Sequence, residues 1–267
     1  MSDSNPTINT ILVPQGLEYQ AVLRGLKQAN SNPNIAKPRV IPIPIGSLGL
    51  VEFLQHWLNT TPYPIGNTLV IGLCGGLSSE IKSGDIAVYQ NCVREYSSQP
   101  PEINNQSLNI WQKECDPGLT QAIYRQLNQA QGDVKELRYQ KKGTSRFAND
   151  TLHQVTGLTS NSVICSAQQK HQLQQAYQAD VVDMEGAIVL EQLGSLDIPI
   201  VMVRVVSDDS HQDLPDLNPA IDQTGTLRTL PLSIALLRNP RATVYLIKSA
   251  IQGLRDLRKV SIALFID

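Results

Sequence analysis

The stretch NTLVIGLCGGLSSEIKSGDIAVYQNCV, residues 67–93, decides the fold. Residues 67–74 are a β-rich apolar run that ends on Gly75 and Gly76, and a second such run follows at 83–93. Apolar runs of this length bounded by turn residues read as buried strands. Outward from here the same unit recurs. NTILVP at 9–14 reads as a first buried strand, followed by a helix over about 17–29 in which Leu17, Ala21, Leu23 or Arg24, and Leu26 keep roughly helical spacing. RVIPIPI at 39–45 is another strand, with Pro42 and Pro44 marking an edge or a bend, and GLVEFLQHWL is the helix behind it. Toward the C-terminus the pattern predicts helix at 118–130, strand at 162–166, helix at 167–178, strand at 180–184, helix at 185–195 and strand at 199–206. Residues 96–110 read as a long polar loop, 207–225 as an acidic, turn-rich segment, and two helical segments separated by Asn239-Pro240 close the chain. Strands alternating with helices predict one α/β domain with a mostly parallel sheet.

Composition fits a folded body. Of 267 residues 41% are hydrophobic and 17% charged, the latter below the roughly 25% usual in globular proteins, so disorder is excluded as the main state. The longest apolar run, TLPLSIALL at 229–237, stops at Arg238 and is too short for the ~20 residues of a membrane span. The first ten residues hold no basic residue, so no secretory or mitochondrial address is read and a cytoplasmic location is expected. Cys74, Cys92, Cys115 and Cys165 show no paired spacing, and the four histidines show no metal spacing. Buried small apolar residues are expected of the cysteines, and no metal site. Seven basic residues against two acidic ones give +5 over 225–267, which leaves −7 on 1–224 within the total of −2.

Ligands of open α/β sheets bind beyond the carboxyl ends of the strands. Three carboxylates follow strands there: Glu18, Glu185 and Asp208. Taken singly, Glu18 and Glu185 also fit acidic residues complementing a helix dipole, and Asp208 fits a turn or cap residue. Gly72, Gly75 and Gly76 allow a ligand close to the backbone, without forming a dinucleotide fingerprint or a P-loop.

Four motifs together resemble the nucleoside phosphorylase and nucleosidase superfamily, most visibly the methylthioadenosine/S-adenosylhomocysteine nucleosidases: VPQGLEYQAV at 13–22, IGLCGGLSSEIKSGDIAV at 71–88, VVDMEGAIV at 181–189 and PIVMVRVVSDDS at 199–210. SAQQKHQL at 166–173, Leu214-Pro215, Gly225 and LLRNP at 236–240 are similar to the hopanoid-associated phosphorylases, which remove adenine from adenosylhopane. The resemblance implies a single-domain three-layer sandwich over 1–224 around a mixed, mostly parallel sheet, with 225–267 as a basic helical extension packed on it. It implies cleavage of the N-glycosidic bond of a purine nucleoside, releasing adenine from a 5′-modified adenosine.

The site residues follow from the same resemblance. Asp208 matches the acid that protonates the adenine N7, held neutral by partial burial, with Ser207 supporting it. Glu185 matches the glutamate that binds the ribose hydroxyls and stays charged, with Met184 under the sugar. Glu18 matches the base that positions water, kept ionised by a helix N-terminus, and Arg204 lies near that water. Cys74, Gly75 and Val182 are expected along the purine, Ser166 begins the other wall, and Phe147 stands in for an aromatic stacking residue that the motif does not supply.

Leu73 occupies the place where many members of the superfamily carry a serine or threonine that contacts phosphate. This favours water, while Ser47 keeps phosphate open as co-substrate; no other cofactor is implied. A homo-oligomer is expected, nucleic acid is not, and the mixture of Val244, Leu246, Ile247, Ile251, Leu254 and Leu257 with five basic residues over 241–259 fits either a packed surface helix or a peripheral membrane contact. A non-catalytic nucleoside-binding protein on the same scaffold is the alternative.

Overall fold

Residues 10–14 are apolar at nearly every position because the strand they form has no solvent face. In the computed structural model, which describes residues 6–29, 37–95, 110–140, 151–216, 218–220 and 240–266, strand β1 (Thr10–Pro14) is buried along its whole length. The same holds for most of β3 (Thr68–Gly76) and β8 (Ile200–Asp208). Continuous apolar strands mark a sheet covered on both faces, and the alternation of side chains sorts them into two layers. Leu12, Val70 and Met202 face one core with Leu50, Leu54 and Trp57 of α2 (Ser47–Thr60) and Ala187, Ile188 and Leu190 of α5 (Gly186–Leu193). Ile11, Val13, Leu69, Ile71, Val201 and Val203 face the other. There they meet Val22 of α1 (Leu17–Ala29), Ile123 and Leu127 of α3 (Pro117–Gln140), and Leu257 and Val260 of α6 (Pro240–Phe265). Each such buried side chain contributes about 1.5–3 kcal/mol.

The remaining strands are β2 (Arg39–Ile43), β4 (Ile86–Glu95), β5 (Ile110–Glu114), β6 (Leu152–Thr159) and β7 (Val181–Asp183), and α4 (Ala167–Tyr177) lies between the last two. The eight strands form one mixed sheet. β1 pairs in parallel with β2 and β3, β3 with β8, β4 with β6 and β6 with β7; β3–β7, β4–β5 and β4–β8 are antiparallel. Because β8 joins β3 to β4 while β7 joins β3 to β6, these five strands close on themselves, with β1–β2 and β5 as outer wings. β2, with Pro42 inside it and Pro44 just beyond, is an edge strand as expected. Helix α6 lies along α1 so closely that a Cβ at Gly25 would come within 2.6 Å of Ser261 Cβ.

The structure corrects two expectations. Residues 162–166 are not a strand: Leu214 N–H bonds to Cys165 O, and Val163 N–H to the Asn218 side chain, so a following loop satisfies the backbone groups a ladder would have used. The strand of this region is β6, ten residues earlier. β5 begins at Ile110, which the sequence placed in a loop; the rest of that loop, and the first of the two closing helical segments, fall outside the described residues. Cys74, Cys92 and Cys115 are buried and Cys165 partly so, all as free thiols. Among the described residues no helix is long and apolar enough to cross a membrane.

Candidate functional site

Strands β1, β2, β3 and β8 run parallel and deliver their C-terminal residues to one edge of the sheet, where the chain turns into α1, α2 and the segment after β8. On β8, Arg204 stands opposite Gly72 of β3. Arg204 is wholly buried, which a guanidinium tolerates only among carboxylates. Its Nη2 lies 3.3 Å from Asp183 Oδ2 and 3.4 Å from Glu185 Oε2. Its Nε and Nη1 are buried with no hydrogen-bond partner. A Cβ at Gly72 would run into Nη1 and stand 2.5 Å from Glu18 Oε2, so only glycine lets the guanidinium and the Glu18 carboxylate share this corner.

Each carboxylate is held by backbone. Leu73 N–H donates to Glu18 Oε2 over 2.7 Å, and Gly46 N–H to Glu185 Oε1 over 3.3 Å. Gly46 has φ +83°, a left-handed turn suited to glycine that starts α2. Asp183 Oδ1 accepts from the Thr159 hydroxyl (2.7 Å) and from the N–H groups of Glu185 (3.3 Å) and Gly186 (3.0 Å), and Ala187 N–H donates to Thr159 Oγ1. Asp183 and Thr159 thus cap α5 and fix the direction of Glu185.

Charge at this end departs from expectation. Both glutamates were expected to be ionised, but burial raises each from 4.5 to about 7, against the opposing pull of Arg204; Glu185 adds to the rise at Glu18, and Asp183 to both. A helix N-terminus stabilises an anion by about 0.3–1 kcal/mol, less than one pKa unit, so desolvation outweighs it. Burial alone would lower Arg204, but Asp183 and Glu185 carry it above its ordinary value. Glu18 keeps partial exposure, which gives water a route to it.

The second end of the edge lies at the β8 terminus. A register shift between Cys74 and Gly75 leaves Ser207 as an extra residue and sets Asp208 beside Gly75, the re-aiming that a bulge provides. Ser207 Oγ lies 3.0 Å from Cys74 O and 2.6 Å from Asp208 Oδ1. One hydroxyl proton cannot serve both acceptors, so this geometry accommodates Asp208 with or without a proton on Oδ1. Asp208 is 6% exposed, yet burial is not its whole environment. Lys170 of α4, itself fully buried, donates from Nζ to Asp208 Oδ2 over 2.5 Å, to Asp209 O over 2.7 Å and to Gln212 O over 3.3 Å. Asp208 is thus buried, and its carboxyl is in direct contact with the Lys170 side chain.

Between the ends, a Cβ at Gly75 would lie 3.4 Å from Val182 Cγ1 and 3.2 Å from Asp208 Oδ2. Cys74 is buried, and burial pushes its thiol well up, leaving a neutral lining. Met184 is half-buried, its Cε 3.7 Å from the place of a Gly46 Cβ. Ser166 is the N-cap of α4, its hydroxyl accepting from Gln169 N–H over 3.1 Å. Ser47 is the first residue of α2. Phe147 lies outside the described residues. Four residues of the two networks had no assigned role in the sequence reading: Asp183, Thr159, Gly46 and Lys170. Asp183 and Lys170 stand inside quoted motifs, but only the fold reveals what they touch. Among the described residues no cluster of histidine, cysteine or acidic side chains is arranged to hold a metal ion.

Solved structures share this architecture. The S-adenosylhomocysteine nucleosidase of Streptococcus pyogenes in complex with 5-methylthiotubericidin is 16% identical, with 96% of this chain and 94% of that chain covered at a TM-score of 0.59. Futalosine hydrolase of Helicobacter pylori is 14% identical over 96% and 97%, with a TM-score of 0.60. The 5′-methylthioadenosine/S-adenosylhomocysteine nucleosidase of Neisseria meningitidis in complex with methylthio-immucillin-A is 12% identical over 97% and 98%, with a TM-score of 0.62. At these identities the likeness is one of fold. No curated protein matches the chain in sequence. The profile of the phosphorylase superfamily matches residues 63–229, from before β3 to beyond Asp208, and with the mixed sheet that carries those residues the chain belongs to that superfamily.

Proposed function

We propose that the chain cleaves the N-glycosidic bond of a purine nucleoside, using water, and releases adenine from a 5′-modified adenosine. The observation that carries this reading is the gathering of Glu18, Asp183 and Glu185 around one buried guanidinium, with Asp208 farther along the same sheet edge. Breaking a glycosidic bond builds positive charge on the sugar and negative charge on the base. Carboxylates at one end and a proton source at the other meet those two needs. Glu18, near 7, is ionised in a large fraction of molecules at neutral pH and takes a proton from water. Arg204 Nη1, unpartnered and beside Glu18, orients that water. Glu185 binds the ribose hydroxyls over Met184 and favours the cationic transition state when ionised.

Water is preferred over phosphate because a phosphate dianion would enter a pocket in which three carboxylates surround a single cation. The purine lies along Cys74, Gly75 and Val182 with Ser207 and Asp208 at its N7, and Ser166 begins the far wall. Residues 1–224 form the catalytic body and 225–267 the extension on it, in a cytoplasmic homo-oligomer. A long apolar 5′ substituent, as in adenosylhopane, is favoured by α6: Gly253 packs against Leu73, while Val244, Ile247 and Ile251 on its outer face are exposed. Lys248, Arg255 and Arg258 share that exposed face, so it suits an anionic lipid surface.

Adenine release from adenosine, methylthioadenosine and adenosylhopane, each with and without phosphate, tests the reading. Phosphate-independent release that is fastest with a 5′-apolar substrate is expected. Tight nucleoside binding with no release would instead favour a binding protein.

A further inference from the structure

Lys170 is the one described lysine with no exposed surface. A lysine pays desolvation and side-chain entropy to be there, and what it meets is the carboxylate assigned to the base. Its three N–H groups have three acceptors, Asp208 Oδ2 at 2.5 Å, Asp209 O and Gln212 O. The N-terminus of its own helix is anchored twice: Ser166 caps α4, and Asp213 accepts from Ala167 N–H over 2.8 Å.

We propose that Lys170 and Asp208 hold one transferable proton jointly at the base end of the cleft, with Lys170 as the positioning residue that fixes the carboxylate and resupplies its proton. This rests on the cleavage reading given above. In the resting pair the proton is on Nζ and Asp208 is a carboxylate. As the C1′–N9 bond breaks, its electron pair moves onto the purine, and one proton is relayed across the short contact from Nζ to Asp208 and on to N7, so that Asp208 ends as the carboxylate it began as. Water adds to C1′ and gives its proton to Glu18. Lys170 is left as a neutral amine, its two remaining N–H groups still on Asp209 O and Gln212 O, and solvent restores the lost proton once the base departs. Ser207, able to donate to Asp208 Oδ1 or to accept from it, follows the change by rotating its hydroxyl between that oxygen and Cys74 O.

Among the described residues, the other charged or titratable groups near the pair are Cys74 on β3, Tyr245 on α6, His171 on α4 itself, and Asp209, His211 and Asp213 after β8. Burial, with Asp209 next, pushes Tyr245 up to about 12, and the Cys74 thiol is raised as well, so neither supplies the proton near neutrality.

The test is kcat/KM for adenine release from methylthioadenosine by the full chain at pH 6 and pH 8.5, wild type against Lys170→Met. Without the ammonium no neighbouring donor resupplies Asp208, so the proton for N7 must come from solvent and its delivery falls as the pH rises. The variant is expected within roughly ten-fold of wild type at pH 6 and about 100-fold or more below it at pH 8.5, with KM changed less than about three-fold. A loss equal at both pH values, or no loss, overturns the inference while leaving the cleavage reading in place. Absence of release by the wild type overturns both. Should melting by circular dichroism show the Met protein unfolded, Lys170→Gln, which can still donate to the two main-chain carbonyls, replaces it with the same expected and overturning results.

Discussion

Two buried cations lie on one sheet edge, and they are built oppositely. Lys170 has every N–H on an acceptor and one carboxylate at 2.5 Å. Arg204 stands among three carboxylates, yet its Nε and Nη1 have no partner. A buried donor left unpaired costs about 1–3 kcal/mol, and a folded chain sustains that cost where a ligand or water completes the bond. The saturated cation fixes a geometry, and the unsaturated one leaves a place for a reactant. In the proposed reaction that difference places the base beside Lys170 and the water beside Arg204.

The largest effect should come from removing the group that acts beside the unsaturated cation. Glu18→Gln keeps the shape of the side chain but cannot take a proton, and a fall of about 10²–10⁴-fold in kcat/KM is expected, read by adenine release. Next, Arg204→Met leaves Asp183 and Glu185 without their counter-ion. Loss of one partner from a buried charge group costs about 3–5 kcal/mol, to be measured by urea denaturation at pH 8. At pH 5 the cost should shrink, because Glu185, already raised to about 7, is then neutral.

Smaller but cleaner is the pH dependence of stability. Glu18 and Glu185 bind protons more tightly folded, at about 7, than unfolded, at 4.5. Their favourable contribution is therefore complete below 4.5 and is lost as pH rises through about 7. Glu185→Gln should flatten this decline by on the order of 1–3 kcal/mol between pH 5 and 8, measured by melting at each pH. The two glutamates and Arg204 titrate as a set, so a single-site curve is not expected. Smallest is Ser166→Ala, which removes the N-cap of the helix that carries Lys170 and should cost about 1 kcal/mol.

The sheet was legible where burial is two-sided. NTILVP, NTLVIGLC and PIVMVRVV have apolar residues on both faces, and β1, β3 and β8 appear where those runs stand. β5 and β6 were not legible for the converse reason: IWQKE alternates between exposed and half-buried positions at a sheet edge, and the first half of LHQVTGLT is likewise incompletely buried. SVIC looked like a strand because it is β-rich, but its backbone partners come from residues 214 and 218, which no local pattern announces.

The site divides in the same way. Glu18 and Glu185 follow strands and Arg204 and Asp208 lie on β8, and the sheet gathers their side chains along its edge. Lys170 in AQQKHQLQQAY resembles any solvated helix position, since its counter-ion lies 38 residues farther along. The raised pKa values of Glu18 and Glu185 could not be foreseen, because helix dipoles can be read from a pattern whereas desolvation depends on what the fold places overhead.

The central claim is that water attacks the sugar at the Glu18–Arg204 corner. Running the reaction with methylthioadenosine in ¹⁸O-labelled water and weighing the sugar product tests it most directly. One heavy oxygen in the released ribose, with no need for phosphate and with the signal lost in Glu18→Gln, is the predicted result. A sugar 1-phosphate formed only when phosphate is supplied, or no cleavage at all, would contradict the account.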